Sequence, residues 1–231
     1  MLTLYLNNLS GYDSLSLSIR KEKKVEKYIW LNPVVLKMYE QEELTAALGS
    51  LGFQIVHCEE NHLQTVKNKY KEQYEGCNQL LCDNRCPKAI SYVKAHYDQA
   101  SLEYSTIQPI LIHCAEELAN KYTQHDAELY IITPCADLRD LGNELALKNT
   151  IFQTWTEFCR DQHIILNGKP TKTSPIPPGF FDNIPNVVSL SSKDDIDRFF
   201  QSTLKQDKQL IEMLYCQGGC HNGDGVRITN E

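Results

Sequence analysis

No basic stretch in this 231-residue chain exceeds Arg20-Lys21-Glu22-Lys23-Lys24, and the formal charge is −7. Nucleic acid is held by clustered cations, so general nucleic-acid binding is not expected, and the short run reads as a solvated face. Long apolar segments are also missing. The opening Met1-Leu2-Thr3-Leu4-Tyr5-Leu6 carries no early positive charge, so neither a signal peptide nor a membrane span is expected. No internal repeat is visible. Nor do the nine cysteines suit a secreted disulfide framework, because the number is odd and the chain is long. They fit a reducing compartment, and the expectation is cytoplasmic.

What remains is a chain with 42% hydrophobic residues, enough for the core of one large domain or two small lobes. After an N-terminal strand and polar segment over residues 1–28, Tyr28-Ile29-Trp30-Leu31 reads as a strand ended by Asn32-Pro33. Glu42 to Leu51 has helical spacing, Gly52 stops it, and Phe53 to Cys58 resumes as a strand. His62 to Tyr74 and Pro109 to Tyr122 read as helices, and Leu129 to Ile132 as a strand. Ile151 to Asp161 reads as a short strand and helix, and Asn167 to Pro178 as a loop. Val187 to Leu190 then forms a strand, Ser191 or Ser192 caps a helix through Phe200, and Gln209 to Leu214 is a strand or short helix. This alternation of strand and helix predicts an α/β chain.

The chemistry lies in the cysteine loops. In Cys216-Gln217-Gly218-Gly219-Cys220-His221-Asn222-Gly223-Asp224-Gly225, four glycines fall within eight positions. Such a backbone can approach a bulky inorganic ligand held by the two thiols; a glycine-rich turn with two free thiols is the alternative. A second loop carries Cys77, Cys82 and Cys86 within ten residues. Pro87 suits the first turn of a helix from Lys88 to His96, which makes Cys86 its N-cap, where backbone N–H groups favour a thiolate. Cys135 follows Thr133-Pro134 at the carboxyl end of a strand, where α/β sheets bind ligands. Cys58, Cys114 and Cys159 read as core thiols. His57, His62, His96, His113 and His163 read as ordinary histidines, whereas His221 directly follows a candidate ligand and reads as a group that tunes it.

Together these loops resemble the three signature loops of the C-terminal, H-cluster domain of the iron-only hydrogenase large subunit. Cys86-Pro87-Lys88-Ala89-Ile90 is similar to the first, Thr133-Pro134-Cys135 to the second, and Cys216-Gln217-Gly218-Gly219-Cys220 with Asn222-Gly223 to the third. Glu43 to Phe53 and Thr154-Trp155-Thr156-Glu157-Phe158 extend the likeness over roughly residues 29 to 228. The resemblance implies a 4Fe–4S cluster on Cys86, Cys135, Cys216 and Cys220. Pattern and resemblance together imply two small, mostly parallel-sheet α/β lobes, about 29–128 and 129–228, with the cluster in their cleft.

The chain also departs from that family. Where the family's proton-relay cysteine would stand is Arg85, its cyanide-anchoring lysine is Leu138, its methionine is Thr133, and the proton-path carboxylates fall near Lys67 and Asn68. N-terminal ferredoxin-type cysteine runs are missing. Pro177-Pro178-Gly179-Phe180-Phe181 and the serine-rich segment at Ser189 to Ser192 are more similar to the sensory, PAS-linked branch. The implied function is electron transfer or redox sensing without hydrogen catalysis, with a ferredoxin-like redox partner or a signalling domain. A low-activity hydrogenase, with Cys82 or His221 handling protons, and a zinc-binding or structural interaction module are the alternatives.

Overall fold

The structure, a computed structural model, describes residues 25–98, 100–124, 126–202 and 210–227. The chain runs β1 (Glu26–Leu31), α1 (Pro33–Met38), α2 (Gln41–Ser50), β2 (Phe53–Ile55), α3 (His62–Gly76), β3 (Leu80–Cys82), α4 (Pro87–His96), β4 (Leu102–Tyr104) and α5 (Ile110–Tyr122). It continues through β5 (Ala127–Thr133), α6 (Ala136–Glu144), β6 (Thr150–Thr154), α7 (Trp155–Asp161), β7 (Val187–Leu190), α8 (Lys193–Gln201) and β8 (Leu210–Met213) to a 3-10 turn at Cys220–Asn222. No helix among the described residues is long and apolar enough to cross a membrane.

Two four-stranded sheets form, ordered β2-β1-β5-β6 and β4-β3-β8-β7, and every strand pair is parallel. Parallel neighbours need crossover connections, which the intervening helices supply. The α/β class and the two parallel-sheet lobes are therefore as expected. Their composition is not. The expected division near residue 128 falls inside β5, and each sheet combines two strands from the first part of the chain with two from later. The reason is non-local pairing: β1 docks on β5 along its whole length, Glu26 opposite Ala127 through Leu31 opposite Ile132, and β3 docks on β8. The boundary at residue 28 also moves, since β1 begins at Glu26; residues 1–24 of the expected N-terminal segment lie outside the described residues.

Alternation along β5 divides the core of the first lobe. Tyr130 and Ile132 pack with α1, α2 and α7 through Val34, Leu44 and Phe158, while Leu129 and Ile131 face α5 and α6 through Ile112, Leu118 and Leu138. In the second lobe, Leu81 packs on Val66 and Tyr70 of α3, and Cys82 faces Ile90 of α4 and Phe199 of α8. Local chemistry starts the helices. Asn32 caps α1 by accepting from the Val34 and Val35 N–H groups, with Pro33 at the first turn, and its Nδ2 donates to the Ile132 carbonyl at 3.1 Å. Thr154 and Glu157 close a capping box on α7, and Ser192, rather than Ser191, caps α8.

Candidate metal centre

Three loops deliver the site. Cys86 follows β3 and is the N-cap of α4; Cys135 follows β5 and is the N-cap of α6; Cys216 and Cys220 follow β8. All four follow the carboxyl ends of strands, Cys86, Cys216 and Cys220 from the second lobe and Cys135 from the first. Helices α4 and α6 pack together, which sets their N-termini side by side. Cys86, Cys135, Cys216 and Cys220 line one cavity between the lobes, with Lys88, Pro134, Tyr215 and Gly223 completing its wall.

Burial dominates the thiol chemistry. It pushes Cys86 up to about 11 and Cys135 to about 12, and raises Cys216 and, most strongly, Cys220. The neighbouring sulfurs add to it, since Cys220 faces Cys86, Cys135 and Cys216 at once. Against this, the Tyr215 and Ala89 N–H groups face Cys86 and the Leu138 N–H faces Cys135, which favours thiolate without closing a full capping bond in either helix. Four sulfurs so placed ionise together only beside compensating positive charge, as metal coordination supplies.

The donor set is thiolate only, a set that both zinc and iron–sulfur clusters accept.

The glycines serve the chain's own packing. Gly219 has φ +119°, and a Cβ there would lie 2.3 Å from the Ile176 carbonyl oxygen; at Gly223 it would lie 2.3 Å from that of Pro134. The loop is thus threaded against residues 174–176 and the Pro134-Cys135 turn, so its permissiveness clears backbone rather than only a ligand. Asp224 fastens it further: Oδ1 accepts from the Ala136 N–H at 3.0 Å, and Oδ2 lies 3.2 Å from Lys88 Nζ. Partial burial would raise the Asp224 carboxyl, but that N–H and Lys88 outweigh it and hold it below its ordinary value.

On the other side of Cys220 lies a larger cavity of about 320 Å³, walled by Trp30, Pro109, Ile110, Ile176 and Phe180. Arg85 and Leu138, two of the residues that depart from the family's pattern, both line it. Arg85 is held rather than free. Its guanidinium donates to both Asp83 oxygens at 2.8–3.0 Å and to Glu212 Oε1 at 2.8 Å, beneath the Phe180 and Phe181 rings at 3.9 and 4.5 Å. Glu212, fully buried, also accepts from the Gly179 and Phe180 N–H groups, and Asp83 from the Tyr70 hydroxyl. Thr133 is buried with its hydroxyl on the Cys135 carbonyl at 3.0 Å, and Lys67 and Asn68 line a separate surface hollow.

The other thiols divide. Cys82, an alternative proton handler in the low-activity hydrogenase reading, is buried in the second lobe's core and lines neither cavity; burial pushes it to about 12. Cys77 bonds the Gln79 carbonyl and Glu103. Cys159 is a core thiol as expected. Cys58 and Cys114 are not merely that, and His62 is not an ordinary histidine. Their ligand atoms lie within 4.8 Å of one another. The Cys58-x-x-x-His62 spacing was the available signal; Cys114 is brought in by tertiary contact alone.

No family model and no curated protein matches the chain. Solved structures do. An apo iron-only (FeFe) hydrogenase variant from Chlamydomonas reinhardtii aligns at 10% identity over 92% of this chain and 82% of its own, with TM-score 0.56. A structure described as revealing stepwise hydrogenase H-cluster assembly gives the same values. A third, concerning oxygen inactivation of an FeFe-hydrogenase, aligns at 11% identity over 92% and 83%, with TM-score 0.55. The expected iron-only hydrogenase-like fold is thus the fold of this chain.

Proposed function

We propose that this chain binds one 4Fe–4S cluster through Cys86, Cys135, Cys216 and Cys220 and serves in electron transfer or redox sensing, without hydrogen catalysis. The carrying observation is the convergence of these four thiols on one cavity, a soft donor set of the kind that holds such a cluster. Such a cluster supplies one-electron exchange. The chain's part is to hold and tune it. The N-termini of α4 and α6 aim N–H groups at two of the sulfurs, Lys88 adds a cation at the cavity wall, and burial keeps water away.

The second cavity argues against proton chemistry. Efficient general acid–base work needs a group that gives and takes a proton. Arg85 stands at the relay position, but burial opposed by Asp83 and Glu212 leaves its pKa raised, so it stays charged and bound. Leu138 offers no donor where the resemblance implies a lysine. The partner is a ferredoxin-like redox protein or a signalling domain that reads the two oxidation states.

Anaerobic reconstitution tests the proposal: about four irons and matching sulfide per chain are expected, with an EPR signal on reduction. A colourless protein would contradict it. A second reading, a slow hydrogenase, is favoured by the cavity beside Cys220 being large enough for another ligand. Hydrogen evolution from a sample supplied with the two-iron unit by its maturases would support that reading over ours.

A further inference from the structure

A second thiol cluster lies apart from this centre, in the first lobe, where the β2–α3 connection meets α5. Cys58 sits in that connection, His62 is the first residue of α3, and Cys114 and Glu117 lie one turn apart on α5. One ring nitrogen of His62 and the two sulfurs all lie within 4.8 Å of one another. Glu60, His62 and Glu117 form an overlapping group at the same spacing. His62 and Cys114 are buried and Cys58 half-buried, so the group is enclosed by the fold rather than scattered on its surface.

The histidine is already oriented. Its Nε2 lies 2.6 Å from Glu117 Oε2, and the same carboxylate accepts from the Glu59 N–H at 2.7 Å and the Glu60 N–H at 3.3 Å. The His113 ring stacks on the far side, with centroids 6.0 Å apart and planes 17° from parallel. A carboxylate on one imidazole nitrogen, leaving the other for a metal, is the usual support of a ligating histidine. A disulfide between Cys58 and Cys114 would explain two thiols in proximity but not a ring nitrogen of His62 within 4.8 Å of both sulfurs.

We propose that Cys58, Cys114 and His62 bind one zinc ion, with Nδ1 of His62 as ligand, Glu117 holding its Nε2, and Glu60 or a water as fourth ligand. Two thiolates and an imidazole are a zinc donor set, and the tight spacing suits a single tetrahedral ion. Binding exchanges two thiol protons for the dication, which leaves the site neutral with a water in fourth place. The ion would tie the β2–α3 connection to α5. The inference does not rest on the iron–sulfur reading, because it concerns different residues.

Metal counting on the full-length protein tests it, after purification without added chelator and exhaustive dialysis. One zinc per chain is expected, retained in Cys135→Ser/Cys216→Ser and lost in Cys58→Ser/Cys114→Ser, whose circular dichroism and reconstituted iron content stay at the parent level. Should the latter variant fail to fold, cobalt substitution of the unaltered protein provides a second measurement. Thiolate-to-cobalt absorption with a tetrahedral pattern is expected, and Glu117→Gln weakens metal affinity roughly 10–100-fold. Zinc absent from the parent protein, zinc that survives loss of Cys58 and Cys114 but not of Cys135 and Cys216, or a Cys58–Cys114 disulfide in anaerobically purified protein would each overturn it.

Discussion

Cys220 stands between two cavities that could hardly differ more in chemistry. One is lined by four sulfurs, two helix N-termini and a lysine; the other by prolines, aliphatic and aromatic carbon, and an arginine locked between two buried carboxylates. The first has what a redox cluster needs from a protein: soft donors, N–H groups and low dielectric. The second is walled mainly by carbon, and the arginine that lines it is fixed in a buried ion network.

The contrast can be broken most sharply at the sulfurs. Cys135→Ser and Cys216→Ser should each lower reconstituted iron from about four per chain to below about one, read by iron assay. Full iron in either variant would mean that another thiol ligates. Next in size is the second cavity. Arg85→Met leaves Asp83 and Glu212 buried without their cation and should cost about 3–5 kcal/mol in urea unfolding, while iron per folded chain is retained. Loss of iron at unchanged stability would instead place Arg85 in the cluster site. Smaller again is Gly223→Ala, whose Cβ would lie 2.3 Å from the Pro134 carbonyl oxygen. A destabilisation of about 1–3 kcal/mol, with weaker iron retention, is expected because the loop must lift off the Cys135 turn.

The smallest effect concerns pH. Asp224 is held below its ordinary value, so its contribution is complete above the unfolded carboxyl pKa of about 3.9 and lost as pH falls through the lower folded value. Asp224→Asn should therefore flatten the acid limb of the stability profile below about pH 4 and leave the cluster's EPR line shape alone. An unchanged acid limb would remove Asp224 from the anchoring of α6.

How much of this was legible follows the range of each interaction. Strands such as Leu129 to Ile132 and helices such as His62 to Tyr74 carry their own periodicity, and the N-cap role of Cys86 was readable from Pro87 beside it. The three-residue strands β3 and β4 are too short for any period. Helix α1 is hidden because Asn32-Pro33 reads as the end of a strand, whereas the capping Asn32 with Pro33 at the first turn makes it a helix start. Helix α6, with charges at Asp137, Arg139 and Asp140, shows only a thin apolar stripe at Leu138 and Leu141. The interleaving of the lobes rests on pairing between distant strands, to which sequence order is blind. The same holds for the Arg85–Glu212 pair and for Cys114 beside Cys58.

The most direct measurement is the EPR spectrum of the reduced, reconstituted protein beside that of Cys220→Ser, the cysteine that lines both cavities. A cubane signal in the parent, lost or replaced by a substoichiometric species in the variant, is the expected result. A spectrum indifferent to Cys220 would contradict the four-cysteine centre on which the proposed function stands.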